Sequence, residues 1–589
     1  MTLFKRLIAV VSCLATLSAC DQHGQATGAG ADSLQHLLGR YYDEKMALFP
    51  LDATTNGEHQ YDDLLQIDIS EHFRQRLDSF YTRYATALKG IDTVALSSND
   101  RISYDMLLRE VRIGKEGLQY PDHLMPIQQF WGLTLTLPQL GAGTGAQPFK
   151  TKDDYERFMQ RMKTFAEWAD TAIVNMRRGI SIGYVLPKAL VVKVLPQMAS
   201  LAARDTSNVF YQPLRQLPPG LDSASASALR TSYEAVITNY VLPSYRKLHT
   251  FFQEEYLPKA RSTSGIGSLP NGKAYYAYLI RQWTTTDQAP EQIFTTGEQE
   301  VARIRQEMEQ VKESTRFKGS LPEFFTFIRE NGQFRIFQTP KAVLDSFLAI
   351  SHKIMPKIRQ LYGKLPKAGF EVRQTETFRA ASASAEYVQG SADGSRPGVF
   401  YVPILDARKY SYTGMETLFL HEAIPGHHFQ YSLQQENDSL PKFRRYCWIG
   451  AFGEGYALYC ESLGKELGLY TNPYMYFGRL TDEIHRAIRL VVDVGIHNKG
   501  WTREQALRYM MDNEPLSEEE AIAEIERYMA IPGQALSYKT GELKIKALRA
   551  EYAPAAAGIE RLKAFHDELL KDGGVPLSIL EVKMRRRFK

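Results

Sequence analysis

Cysteine is scarce, with only four in 589 residues, which excludes a scaffold built on disulfides. Cys13 and Cys20 fall in the first twenty residues and leave Cys447 and Cys460. These two flank an expected helix, and the helical rise sets them roughly 20 Å apart, beyond disulfide reach, so two buried thiols are expected. An excess of one charge is also missing: 71 Lys and Arg stand against 67 Asp and Glu. So even a balance predicts no nucleic-acid partner. After the first twenty residues no stretch is long and apolar enough to span a bilayer. No repeat of solenoid length is present either. What remains, 44% hydrophobic and 23% charged, is the composition of a folded chain large enough for two or more subdomains.

The first twenty residues have a charged start (Lys5, Arg6), an apolar run, and then Leu17-Ser18-Ala19-Cys20. That is the order of a signal peptide. Its ending resembles a lipobox, which implies cleavage before Cys20 and lipidation of that cysteine, hence a bacterial lipoprotein held at a membrane and facing the periplasm. Asp21 resembles an inner-membrane retention signal of enteric bacteria, while the choice between inner and outer membrane stays open. Residues 21–32 are small, polar and glycine-rich, which predicts a flexible tether.

From Ser33 the periodicity is helical. Leu34, Leu37, Leu38, Tyr41 and Tyr42 repeat at three and four residues. Thr151 followed by Asp154 predicts a helix start before the run that ends near Arg178. The glycine, serine and proline between Ser262 and Lys273 mark a candidate boundary. It divides an N-terminal helical lobe, 33–262, from a C-terminal catalytic lobe, 263–589. The many charges between Pro290 and Val311 read as a solvated helix face. Phe370–Phe378 and Gly398–Ile404 are extended in pattern and bracket a turn-rich connection, which predicts two strands. The fold class expected is mainly α: two helical lobes around a deep cleft, with a small sheet beside the motif described next.

That motif is HEAIPGHH, from His421 to His428. Histidines four apart with a glutamate after the first form the H-E-x-x-H zinc signature. Here the fourth position is Pro425, and proline removes a helical hydrogen bond and clashes with the preceding turn. If Pro425 and Gly426 are looped out, His427 falls where the second ligand belongs. His428 would share a face with His421 on an unbroken helix, but roughly 10 Å along its axis, too far for one ion. The expected ligands are therefore His421 and His427, with Glu422 as general base. Glu454 in GEGYALYCE is the candidate third ligand, because Glu-Gly-aromatic-Ala resembles the segment that carries the third ligand in gluzincin aminopeptidases. Glu461 reads as a partner for a ligand histidine or as a surface acid. Such a set leaves one position of a Zn2+ ion to water, the arrangement of a catalytic site. Two later segments offer donors to the oxyanion: GIHNKGW with His497, and IPGQALSYKTG with Tyr538. For His497 the alternative is a helix-end cap partnered by Asp493. Arg489 and Arg527 are candidates to clamp a substrate carboxylate.

Taken together, the leader, H-E-x-x-P-G-H, EGYALY, RLVVDVGIHNKGW and IPGQALSYKTG resemble the bacterial family called domain of unknown function 885. The resemblance implies a mainly helical, gluzincin-type zinc metallopeptidase related to neurolysin and carboxypeptidase Taq. Its expected function is hydrolysis of oligopeptides or peptide ends in the cell envelope. Hydrolysis of another amide, such as a cell-wall peptide or an acylated amino acid, would use the same chemistry. A lipoprotein that binds metal or peptide without turnover is the remaining alternative.

Overall fold

The apolar stripe from Leu34 to Tyr42 winds into the first helix, α1 (Gly28–Leu48), and its five large side chains are buried. The computed structural model describes residues 28–143, 145–375, 384–390 and 397–589. The leader, Cys20, Asp21 and the start of the tether thus lie outside the described residues. Because α1 begins at Gly28, the end of the 21–32 tether is helical. A helix already nucleated further along extends backward one residue at a time at small cost.

The other periodic stretches are helices as well. Those that matter for the site are α2 (Ser98–Gly117), α3 (Lys152–Ser181), α4 (Gly272–Thr284) and α5 (Pro290–Ser314). Helix α3 starts on a capping box: the Asp154 N–H donates to the Thr151 hydroxyl, and the Asp154 carboxylate accepts the Thr151 N–H. A small sheet follows, made of β1 (Phe370–Gln374), β2 (Glu386–Val388) and β3 (Gly398–Val402) in the order β1-β3-β2. β3 is central, parallel to β1 with Phe370 opposite Gly398, and antiparallel to β2 with Glu386 opposite Tyr401. β2 is an addition to the two expected strands, since three residues are too short for an alternating pattern. The chain continues through α6 (Met415–Glu422), α7 (His427–Gln435), α8 (Gly450–Ser462), α9 (Pro473–His497), α10 (Glu518–Ala530) and α11 (Ser537–Tyr552).

The boundary expected at 262/263 does not separate one core from another. One apolar cluster unites Leu38, Tyr41 and Met106 with Phe419, Tyr456 and Ile545. Another unites Phe158 and Trp168 with Ile304, Ile484 and Ile525. The glycines of that stretch serve close packing and not a linker. A Cβ at Gly265 or Gly267 would lie 1.9 or 2.1 Å from the carbonyl oxygens of Ile496 and His497. The segment is fastened to the end of α9.

Further contacts fix the helices around the motif. α8 and α11 cross at Gly455 and Gly541, where a Cβ on Gly455 would come within 2.4 Å of Gly541 Cα. Beside the crossing, the fully buried Lys539 Nζ lies 2.8 Å from Glu483, 2.7 Å from Glu542 and 3.0 Å from Glu300. Arg303 and Arg479 each lie 2.7 Å from Glu483. Some of the charge on α5 is therefore turned inward to join α9 and α11, and is not a solvated face. A Cβ on Gly541 would stand 1.8 Å from the Ala451 carbonyl oxygen. Gly541→Ala is accordingly expected to destabilise the protein by about 1–3 kcal/mol through overpacking. Chemical denaturation measures this, and an unchanged midpoint would contradict the crossing.

Candidate functional site

Helix α6 runs METLFLHE and stops at Glu422. The break spans Ala423 to Gly426, wider than the two residues expected, and α7 begins at His427. Gly426 packs so tightly on the preceding turn that a Cβ would lie 1.9 Å from the His421 carbonyl oxygen and 2.3 Å from that of Leu420. The reversal brings the His421 and His427 rings to 4.9 Å, edge to face. His428 turns the other way: its Nδ1 lies 3.0 Å from the Tyr387 hydroxyl, and its ring packs on Phe370.

Glu454, the fifth residue of α8, places a carboxylate oxygen 3.5 Å from Nε2 of both His421 and His427. The candidate ligand atoms of these three residues all lie within 4.8 Å of one another, so the group can hold a metal ion. Glu461, two turns further along α8, takes His421 Nδ1 at 2.7 Å and also accepts from the Thr417 hydroxyl at 3.1 Å. This hydrogen bond leaves Nε2 of His421 as the donor atom that faces Glu454. Burial would depress the His421 imidazole, but Glu454 and Glu461 outweigh it and raise its pKa to about 10. Burial likewise opposes the Glu454 anion, yet His421 and His427 hold its carboxyl well below the ordinary range. Glu422 is buried, which pushes its carboxyl up.

The donor chemistry fits a divalent metal. Two imidazoles and one carboxylate are a set that suits zinc. Bringing three ionisable side chains together in a buried site is costly without a shared cation.

The three residues and Glu422 line a cleft of 740 Å3. Tyr538, from the first turn of α11, reaches the same cleft with its ring 4.5 Å beneath the Arg489 guanidinium. Arg489 is held by the Tyr528 hydroxyl at 3.0 Å and by Glu524 at 3.1 Å, and Arg527 lines the cleft nearby. His485 lines it too, with Nδ1 2.8 Å from Glu514 and Nε2 3.1 Å from Arg489. The sequence motifs do not single out His485, although it stands four residues before Arg489, one helical turn away on the same face.

His497 is not among the residues that line the cleft. Its ring is fully buried, Nδ1 accepts the Ile266 N–H at 3.1 Å, and Nε2 donates to the Tyr528 carbonyl at 3.0 Å. With both nitrogens bonded to backbone it has no donor to spare, so the expected oxyanion role is corrected to a structural one. Burial lowers its pKa to about 3, in keeping with a neutral ring. Asp493 does not pair with it either. Its Oδ1 accepts the Tyr276 hydroxyl at 2.6 Å and the Gly533 N–H at 3.1 Å, which fixes the turn that leads into α11.

The family model described as "Bacterial protein of unknown function (DUF885)" matches residues 50–584. The chain belongs to the DUF885 family. No curated protein matches this DUF885 chain. Among solved structures it is similar to one from Colwellia psychrerythraea described as a "putative lipoprotein", with a TM-score of 0.87 and 27% identity, covering 95% of this chain and 99% of that one. A second, from Shewanella oneidensis, is described as a "putative lipoprotein of unknown function" and shares the fold, with a TM-score of 0.73 at 20% identity, covering 94% of this DUF885 chain and 99% of its own. Among the described residues no helix is long and apolar enough to cross a membrane.

The ligand geometry makes a direct prediction. His427→Ala is expected to abolish binding of one zinc equivalent, and His428→Ala to retain it, as read by metal analysis of the purified variants; the opposite pattern would overturn the ligand set. A second concerns pH. Burial raises the Asp493 carboxyl from 3.8 to about 7. Because the folded value lies above the unfolded one, this group's contribution to stability is full below about pH 4 and is lost as pH rises through about 7. Asp493→Asn keeps an acceptor for Tyr276 and Gly533 and should flatten the dependence of Tm on pH across that window.

Proposed function

We propose that this DUF885 protein is a metal-dependent peptidase of the bacterial cell envelope, anchored through a lipidated Cys20 and acting on oligopeptides or peptide ends. The observation that carries the reading is the convergence of His421, His427 and Glu454 within 4.8 Å, with Glu422 beside them in one cleft. The descriptions of the two similar structures as "putative lipoprotein" support the anchor.

When bound, a zinc ion supplies Lewis acidity and lowers the pKa of the attacking water. The protein's own groups do the rest. Glu422 takes the proton of the attacking water and hands it to the leaving amine, a transfer that suits a buried carboxyl with a raised affinity for protons. The Tyr538 hydroxyl donates to the carbonyl oxygen as charge develops there. Its ring is steadied by Arg489. His485 lines the cleft wall with both ring nitrogens bonded, to Glu514 and Arg489, and so positions Arg489 without acting as a donor to the oxyanion. Among the described residues β2 is one of the two outer strands of the sheet, and its Glu386 and Tyr387 line the cleft beside the candidate metal ligands. Arg489 and Arg527 make the far wall suited to a terminal carboxylate, which favours short peptides and peptide ends.

Mass-spectrometric profiling of a peptide library with zinc-loaded mature protein tests the reading. Wild type should yield defined products. Glu422→Gln should lose roughly 10²–10⁴-fold in rate, the range of a general base, while retaining its zinc. Equal cleavage by the two proteins would refute the role of Glu422 and trace the activity to a contaminant.

A further inference from the structure

Beyond Trp448 lies a second cavity, of 490 Å3, which none of the sequence motifs foreshadows. Trp448 lines both this cavity and the catalytic cleft. On the cleft side its ring stacks on Tyr431 at 5.1 Å and meets His427 at 5.8 Å. On the other side the wall includes Tyr41, Tyr42, Tyr81, Tyr278 and Tyr446. Trp448 therefore stands between the two spaces, and the second cavity begins one ring away from a candidate metal ligand.

Glycine within helices builds this wall. Gly114 lies inside α2, Gly117 is its last residue and Gly453 lies in α8; within a helix glycine costs roughly 0.5–1 kcal/mol relative to alanine. Each one admits an aromatic ring of the cavity wall. A Cβ on Gly114 would come 2.4 Å from the Tyr81 ring, one on Gly117 2.3 Å from the Tyr278 hydroxyl, and one on Gly453 1.9 Å from the Trp448 ring. Three aromatic side chains thus meet helix backbone at their edges, where an alanine methyl would force them to move.

Of the charged groups in the wall, Lys45 pairs with Glu110, Arg109 donates to the Arg281 carbonyl at 2.6 Å, and Asp52 stands exposed at its edge. Between these groups the space presents the tyrosine rings and Trp448. The geometry points to a side-chain subsite that takes an aromatic residue of a peptide whose neighbouring residues lie in the catalytic cleft. This inference rests on the peptidase reading for the identity of the ligand. It concerns binding, however, and is separable from turnover.

The test uses full-length mature protein carrying Glu422→Gln, loaded with zinc, and capped hexapeptides of alanine with phenylalanine placed at each position in turn. Calorimetry is expected to find one position at which phenylalanine binds roughly tenfold more tightly than alanine, the scale of added aromatic contacts. Thr55→Trp, at the exposed rim, should bring that ratio close to one by filling the cavity. Tyr446→Ala should reduce it by removing one section of the wall. Equal binding of all peptides, no binding of any, or a ratio indifferent to both substitutions would overturn the subsite. A phenylalanine preference that both substitutions abolish, found together with no cleavage by protein bearing the native Glu422, would sink the peptidase reading and leave the subsite standing.

Discussion

The candidate metal centre depends on one missing methyl group. At Gly426 the backbone lies against the carbonyls of His421 and Leu420, closer than any side chain permits. Only because the chain can fold back there does α7 begin with His427 pointing at His421, with the rings 4.9 Å apart. An unbroken helix would carry the second histidine along its axis and away from the first. Proline ends α6, and glycine decides where the next helix may start.

Once the two histidines face one another, the rest of the site is a matter of holding separate helices at fixed distances. Glu454 comes from α8 and Tyr538 from α11, and these helices touch backbone to backbone at Gly455 and Gly541. Such a contact leaves no side chain free to adjust the spacing. The buried cluster around Lys539 then ties α11 to α9 and α5. Buried ion pairs add little net stability compared with a well-packed apolar core, but losing one partner strands a charge, so the arrangement penalises every other register of the three helices.

Much of this is legible in the sequence, and the failures have physical causes. The stripe of α1 and the capping box at Thr151 are local signals, and the structure follows them. His421 and Glu422 on one helix and His427 on the next follow from spacing across a single break, which sequence carries directly, whereas Glu454 on a third helix comes from the likeness of its Glu-Gly-aromatic-Ala segment. His497 misleads because a histidine near a helix end looks the same whether its ring faces a cleft or two backbone groups; that choice is made by residues 265–267, more than two hundred positions away. The division at 262/263 fails for a related reason. Glycine in a sequence reads as freedom of the backbone, whereas at Gly265 and Gly267 it is room for a neighbour. β2 is too short to show a pattern, and His485 is visible only through its spacing to Arg489.

The same distinction separates the floor of the cleft from its wall. On the floor, the donors converge with Glu461 behind His421, and burial makes every proton and charge expensive to misplace. On the wall, Arg489 and His485 are matched by Glu524 and Glu514, so their charges are largely balanced before any ligand arrives. A wall neutralised in this way orients polar groups without drawing anions indiscriminately. Shape and apolar contact then add to the discrimination among ligands, and among the residues that line the cleft Trp448 and Tyr431 provide them, stacked at 9° and standing directly beside His427.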